Sequence, residues 1–279
     1  MQITSLGNCP STLLHDIMAV DGDSFRDYLA ATAAAGFESV SLYPFHLMLA
    51  GDGAVRAVKD SGLAVEAVEA TIGWANGPSD AVTAEIDGLI AAGQDLGARI
   101  IGAACLGPLA DRSAAVEGLA FVAARAAEAD MVISLEFLPW TGVATMAEAN
   151  DLIVDSGEPN ATILLDTFHW IRQPGGPDPD LLRSLPGDRI AYVQLCEPSP
   201  ATDVPLAGIE DEAMHRRQLP GAGVVDFAAI WDALDRIGSD PFVAAEVFSD
   251  ELLAAGRHAM ARAVHDASRA VLPPLPPPN

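Results

Sequence analysis

Positive charge is what this sequence has least of. Among 279 residues, 15 Lys and Arg stand against 39 Asp and Glu, a formal charge of −24, and Lys59 is the single lysine. With no basic run anywhere, such a chain repels phosphate backbones and anionic lipid, so nucleic acid and membrane surfaces are disfavoured as partners. Cysteine is scarce too. Cys9, Cys105 and Cys196 are odd in number and widely spaced, which makes neither a disulfide framework nor a paired zinc motif and suits a reducing compartment. No apolar run approaches the ~18 residues that cross a bilayer. The opening MQITSLGNCPSTLLHDIMAV lacks the basic start and apolar stretch of a secretory leader. The expectation is a cytoplasmic protein. Its 50% hydrophobic and 19% charged residues are ordinary for a globular chain, long enough to fold on its own core.

Short β-branched runs alternate with Ala-rich stretches. Strands are predicted at 3–6, 39–43, 64–70, 99–103, 132–137, 162–166, 190–195 and 242–247. Helices are predicted at 24–35, 53–61, 80–96, 112–129, 145–155, 179–184, 227–237 and 250–270. Several strands are continuously apolar, as in ISL at 133–135 and ILL at 163–165, a pattern of parallel strands covered on both faces. Eight such units predict an α/β fold, a single (β/α)₈ TIM barrel over residues 1–271, better than a doubly wound sheet. The stretch 196–225 is too long for an ordinary βα loop and is expected to fold over the barrel mouth. The ending LPPLPPPN, 272–279, reads as an extended tail.

Four polar side chains fall at or near the ends of apolar strands: Glu136 in MVISLE, Asp166 in TILLD, Gln194 in AYVQL and Glu246 in FVAAE. A carboxylate at the end of a buried strand needs a cation or hydrogen bonds to compensate it. Three such carboxylates and Gln194 on strands five to eight, at the end of a barrel where active sites form, point to a metal site. Glu, Asp, Glu and a Gln carbonyl make an all-oxygen set, which favours Mg²⁺ or Mn²⁺ over zinc. In LDTFHW, His169 stands three positions after Asp166, so one turn brings both to the mouth. His169 is then a ligand, a proton carrier or a substrate partner, unless it merely caps a helix. In RRQLPGAGVVDF, Arg216 or Arg217 lies on the long loop, where a guanidinium suits a hydroxyl, carboxylate or phosphate. His46, Glu69 and Trp74 sit where early loops reach the mouth and are left outside the site.

The combination LEFLP, LDTFHW, YVQL, RRQLPGAGVVDF and AAEV resembles the sugar phosphate isomerase/epimerase group of the xylose-isomerase-like TIM-barrel superfamily, which also contains the endonuclease IV-type repair enzymes. The resemblance covers nearly the whole chain and is firmest over 132–248. It implies a divalent metal held by Glu136, Asp166, Gln194 and Glu246, with His169 and Arg217 beside the substrate. It also implies that the two glutamates move protons at adjacent carbons. One departure stands out. The epimerases usually carry histidine where this chain has Gln194, and glutamine there is similar to the 3-dehydroshikimate dehydratases of the superfamily. Yet FLPW after Glu136 lacks the histidine those dehydratases would have nearby. The expected activity is a metal-dependent isomerase or epimerase acting on a small keto or aldo sugar or cyclitol through an enediolate. A dehydratase of the dehydroshikimate type is the alternative, and the nuclease is remote for want of a histidine cluster and a basic groove. The implied partner is a small polyhydroxylated molecule, with a homo-oligomer left open.

Overall fold

Eight parallel strands close into a barrel in strict chain order, with β8 returning to β1. The computed structural model describes residues 3, 5–201 and 204–273. The strands are β1 Gly7–Asn8, β2 Ser39–Leu42, β3 Ala64–Thr71, β4 Ile100–Ala104, β5 Val132–Glu136, β6 Ala161–Asp166, β7 Ile190–Leu195 and β8 Phe242–Ala245. Helices α1 Gly22–Ala35, α2 Pro44–Ala50, α3 Ala54–Asp60, α4 Asp80–Leu96, α5 Arg112–Ala127 and α6 Met146–Ser156 follow the first five strands. After them come α7 Thr167–Arg172, α8 Pro179–Ser184, α9 Leu206–His215, α10 Phe227–Ile237, α11 Asp250–Leu253 and α12 Arg257–Val271. This is a TIM barrel. Cys9, Ala67, Ile100, Leu164, Tyr192 and Ala244 form one small apolar cluster. A far larger one packs the strands against the helices. None of the described helices is long and apolar enough to cross a membrane.

Local chemistry sets the boundaries. The Asp21 carboxylate accepts from the amides of Asp23 and Ser24, and the Ser24 hydroxyl accepts from the Asp21 amide, a reciprocal cap that starts α1. Gly36 ends that helix at φ 103°, a conformation that costs glycine least. The first strand lies later than predicted, at 7–8 instead of 3–6. Packing is close there: a Cβ on Gly7 would sit 2.5 Å from the Phe242 ring, so glycine stands where β1 meets that side chain. The predicted last helix is split at Gly256, whose φ is 90°. Of the tail, 274–279 lie outside the described residues.

The long connection after β7 does fold across the mouth. Antiparallel bridges Glu197–Gln218 and Arg216–Ser249 pin it at both ends. It carries α9, where the fully buried Glu212 accepts from Arg172 Nε at 2.9 Å, Arg172 Nη2 at 2.7 Å and the Ser199 amide at 2.8 Å. Glu197 Oε2 accepts from the amides of Val224 and Val225 at 2.8 and 3.1 Å. Gly223 is packed so closely there that a Cβ would lie 2.5 Å from the same oxygen. The PGAGVV segment is therefore a cradle for one carboxylate.

Candidate active site

Asp166 ends β6 and caps α7, its Oδ1 accepting from the amides of Phe168 and His169 at 2.6 and 3.2 Å. Because the cap reaches three residues ahead, the Asp-x-x-His spacing sets both side chains on the first turn, facing one another. His169 Nε2 lies 3.2 Å from Glu136 Oε1 at the end of β5. Glu136, Asp166 and His169 each bring one donor atom within 4.8 Å of the others, close enough to share an ion. The Nδ1 of His169 is buried without a partner.

Arg217 enters from the other side. Its Nη1 donates to Asp166 Oδ2 at 2.6 Å and to Glu246 Oε2 at 3.2 Å. Its Nε is held by the Ala213 carbonyl at 2.8 Å, and its guanidinium lies between the Phe168 and Phe248 rings. Of the two arginines, Arg217 is the buried one; Arg216 is exposed and pairs with Asp211. Glu246 stands one residue beyond β8 and accepts from Ser11 Oγ at 2.9 Å. Gln194 pairs in register with Asp166 across β6 and β7. Its Nε2 makes long contacts to Tyr192 Oη at 3.4 Å and Cys9 Sγ at 3.5 Å, and its Oε1 is buried without a partner.

One guanidinium serves this many carboxylates unequally. Burial pushes Asp166 up, but Arg217, His169 and the capping amides outweigh it and hold Asp166 below its ordinary value. Burial and the charge of Asp166 push Glu136 up to about 8, against the pull of Arg217. Glu246 is raised well above the carboxylate range by burial and by its acidic neighbours, though Arg217 opposes them. Burial drives His169 down to about 3 and keeps it neutral. The site is short of positive charge, with one carboxylate ionised and two poised to hold a proton.

Glu69, on β3, is a fourth carboxyl, one that sequence alone did not admit to the site. It is buried, accepts from Tyr192 Oη at 3.0 Å and is pushed up to about 7, mainly by burial. Glu69, Glu136 and Glu246 line one cavity of about 870 Å³, whose walls include Tyr43, Phe45, Leu106 and Leu138. His46 is instead a packing residue bonded to the Ile17 carbonyl, and Trp74 is fully buried, donating to the Ala104 carbonyl.

Residues 29–271 match the family described as the xylose isomerase-like TIM barrel. The chain belongs to that family. Within it, the sequence is 28% identical over 150 residues to a 3-dehydroshikimate dehydratase of Pseudomonas putida, covering 53% of this chain and 22% of that one. It is 30% identical over 121 residues to an inosose isomerase of Bacillus velezensis, covering 43% and 40%. The chain thus spans well under half the length of these relatives. Among solved structures, the IOLI protein with a bound zinc atom superposes with a TM-score of 0.78 at 19% identity, covering 96% of this chain and 98% of that one. At that identity the likeness is one of fold.

Proposed function

We propose that this xylose isomerase-like barrel is a divalent-metal-dependent isomerase or epimerase. It would remove a proton from the carbon beside the carbonyl of a small hydroxylated ketone or aldehyde and return it to the same or the adjacent carbon. The observation that carries this is the pair Glu136 and Glu246: a partly buried and a buried carboxyl, both with raised pKa, on the wall of one cavity. A general base works best when its pKa lies near the working pH, and such a pair offers one group to take the proton and another to give it.

The residues fit a metal. Glu136, Asp166 and His169 are close enough to share one, the Gln194 carbonyl oxygen is buried with nothing to bond, and the acidic cluster lacks compensating charge. Asp166, Glu136, His169, Gln194 and Glu246 are the residues that would hold it, and a mixed oxygen and nitrogen set suits Mn²⁺ as well as Mg²⁺. Zinc, bound by the IOLI neighbour, is the other ion to test. When bound, the ion would stabilise the negative charge that develops on the carbonyl oxygen as the proton leaves. Arg217 would orient a substrate oxygen with its forked donors while holding Asp166 ionised. His169, kept neutral by burial against Glu136, would offer the ion its nitrogen ligand.

A lyase is the second reading, favoured by Gln194 and by the partial match to the dehydratase. It shares the proton removal and differs in the loss of a β-hydroxyl. Incubation with Mg²⁺, Mn²⁺ or Zn²⁺ and either an inosose or 3-dehydroshikimate separates the two. An exchanged or epimerised inosose supports the isomerase, and aromatic absorbance from 3-dehydroshikimate supports the lyase. The activity should vanish with chelator. Full activity in a preparation shown metal-free by elemental analysis would contradict metal dependence.

A further inference from the structure

The cavity is larger and more apolar than a bare sugar needs. At about 870 Å³ it falls toward the upper end of the ~300–1,000 Å³ of pockets that enclose drug-sized ligands. Its charged residues gather unevenly. Glu69, Glu136 and Glu246 mark the barrel mouth. From there the cavity runs outward past Ile72 and along α2 and α4, where the Glu85 carboxylate is already taken by the amides of Ile72 and Gly73, and Asp95 by Lys59. What remains of this arm is apolar. Tyr43 and Phe45 stack at 5.4 Å between ring centroids to form one wall. Met48, Ile72 and Leu106 stand 76%, 46% and 63% exposed along the same opening.

Such walls discriminate. A hydroxyl carried into them loses its water and finds no partner, whereas a ring or alkyl group gains by leaving water. Exposed apolar residues scattered singly need no explanation, but these are contiguous and lead into the carboxyl cluster. We infer that the substrate is a hydroxy-ketone or hydroxy-aldehyde bearing an apolar substituent, aromatic or alkyl, of about ring size. Its polar head lies at Glu69, Glu136 and Glu246, and its apolar part lies in the arm lined by Tyr43, Phe45, Met48, Ile72 and Leu106. This rests on the proposed proton-transfer chemistry for the head and stands on the cavity alone for the arm.

The test compares hydroxyacetone with 1-hydroxy-4-phenylbutan-2-one, which share a head and differ by a phenyl arm. Deuterium wash-in from D₂O is followed by mass spectrometry with Mg²⁺, Mn²⁺ or Zn²⁺ supplied, and binding by ligand-observed NMR. Both are repeated in a Met48→Gln/Leu106→Gln variant, whose two sites are exposed, with circular dichroism to check its fold. The expected result is that the phenyl compound binds and exchanges about tenfold or more better than hydroxyacetone, and that this ratio falls toward one in the variant. Tight phenyl binding that the variant loses, with no exchange of either compound, would uphold the apolar arm and remove the proposed chemistry. Equal handling of the two compounds, or a phenyl preference unchanged in the variant, would overturn the arm. A dimer by light scattering that the variant dissociates, with no phenyl preference, would assign the surface to a second copy and overturn it as well.

Discussion

Arg217 is the residue on which the site's charge balance turns. It is fully desolvated, bonded to both Asp166 and Glu246, and packed between two phenylalanines. Removing one partner of a buried ion pair leaves the other uncompensated, at a cost of about 3–5 kcal/mol. Arg217→Met should therefore lower unfolding free energy by about that amount in metal-free protein, measured by chemical denaturation. A bound cation should restore part of the loss. A loss below about 1 kcal/mol would mean that the carboxylates are balanced by something else. Asp166 and His169 were legible in the sequence because a cap and its third residue share one turn, whereas the loop over the mouth offered Arg216 or Arg217 and only the family resemblance singled out Arg217. Glu69 was not legible. In AVEAVEAT, alternation sets Glu66 and Glu69 on opposite faces, but only the register of the closed barrel decides which one points inward.

At the scale of elements, α9 and its flanks hold Arg217 in place. The helix follows β7 across the mouth, and the Ala213 carbonyl near its end fixes the guanidinium. Its anchor is Glu212, whose carboxyl is pushed up by burial but brought below its ordinary value by Arg172 and Ser199. Glu212→Ala should loosen the segment. Backbone hydrogen exchange over 206–215 should rise, and the Michaelis constant should increase because Arg217 loses its support. Unchanged protection there would show that the two bridges hold the segment by themselves. That a lid would form was readable from the length of the 196–225 connection. Its helix was not, since the fixing contact is between residues 40 apart and leaves no local pattern. The predicted helix at 250–270 is present as Asp250–Leu253 and Arg257–Val271, interrupted at Gly256, whose φ is 90°.

For the whole molecule, the excess of acid has a measurable consequence. The folded chain keeps protons on Glu69 up to about 7 and on Glu136 up to about 8. The unfolded chain releases them near the ordinary value of about 4.3. Between those limits the folded state binds more protons, so stability falls as pH rises from about 5 to about 8. The melting temperature of metal-free protein should drop across that window, and a divalent ion should raise it most at the upper end. Self-repulsion at −24 acts in the same direction, so Glu136→Gln is the control: it should flatten the slope and weaken the metal effect. A slope unaltered by that change would assign it to general repulsion. The barrel itself was visible from eight apolar strands and their order. The size and apolar lining of its cavity were not, because they depend on how the outward faces of α2 and α4 are left uncovered.

The central claim is that Glu136 and Glu246 move a proton at the carbon beside a carbonyl. Deuterium wash-in from D₂O, read by mass spectrometry on ketoses and inososes with metal supplied, reports that step whatever the product. Replacing either glutamate with Gln keeps its size and one oxygen ligand but removes the base. Wash-in should therefore fall by about 10²–10⁴-fold in Glu136→Gln and in Glu246→Gln. Wash-in at the wild-type rate in both variants would contradict the account.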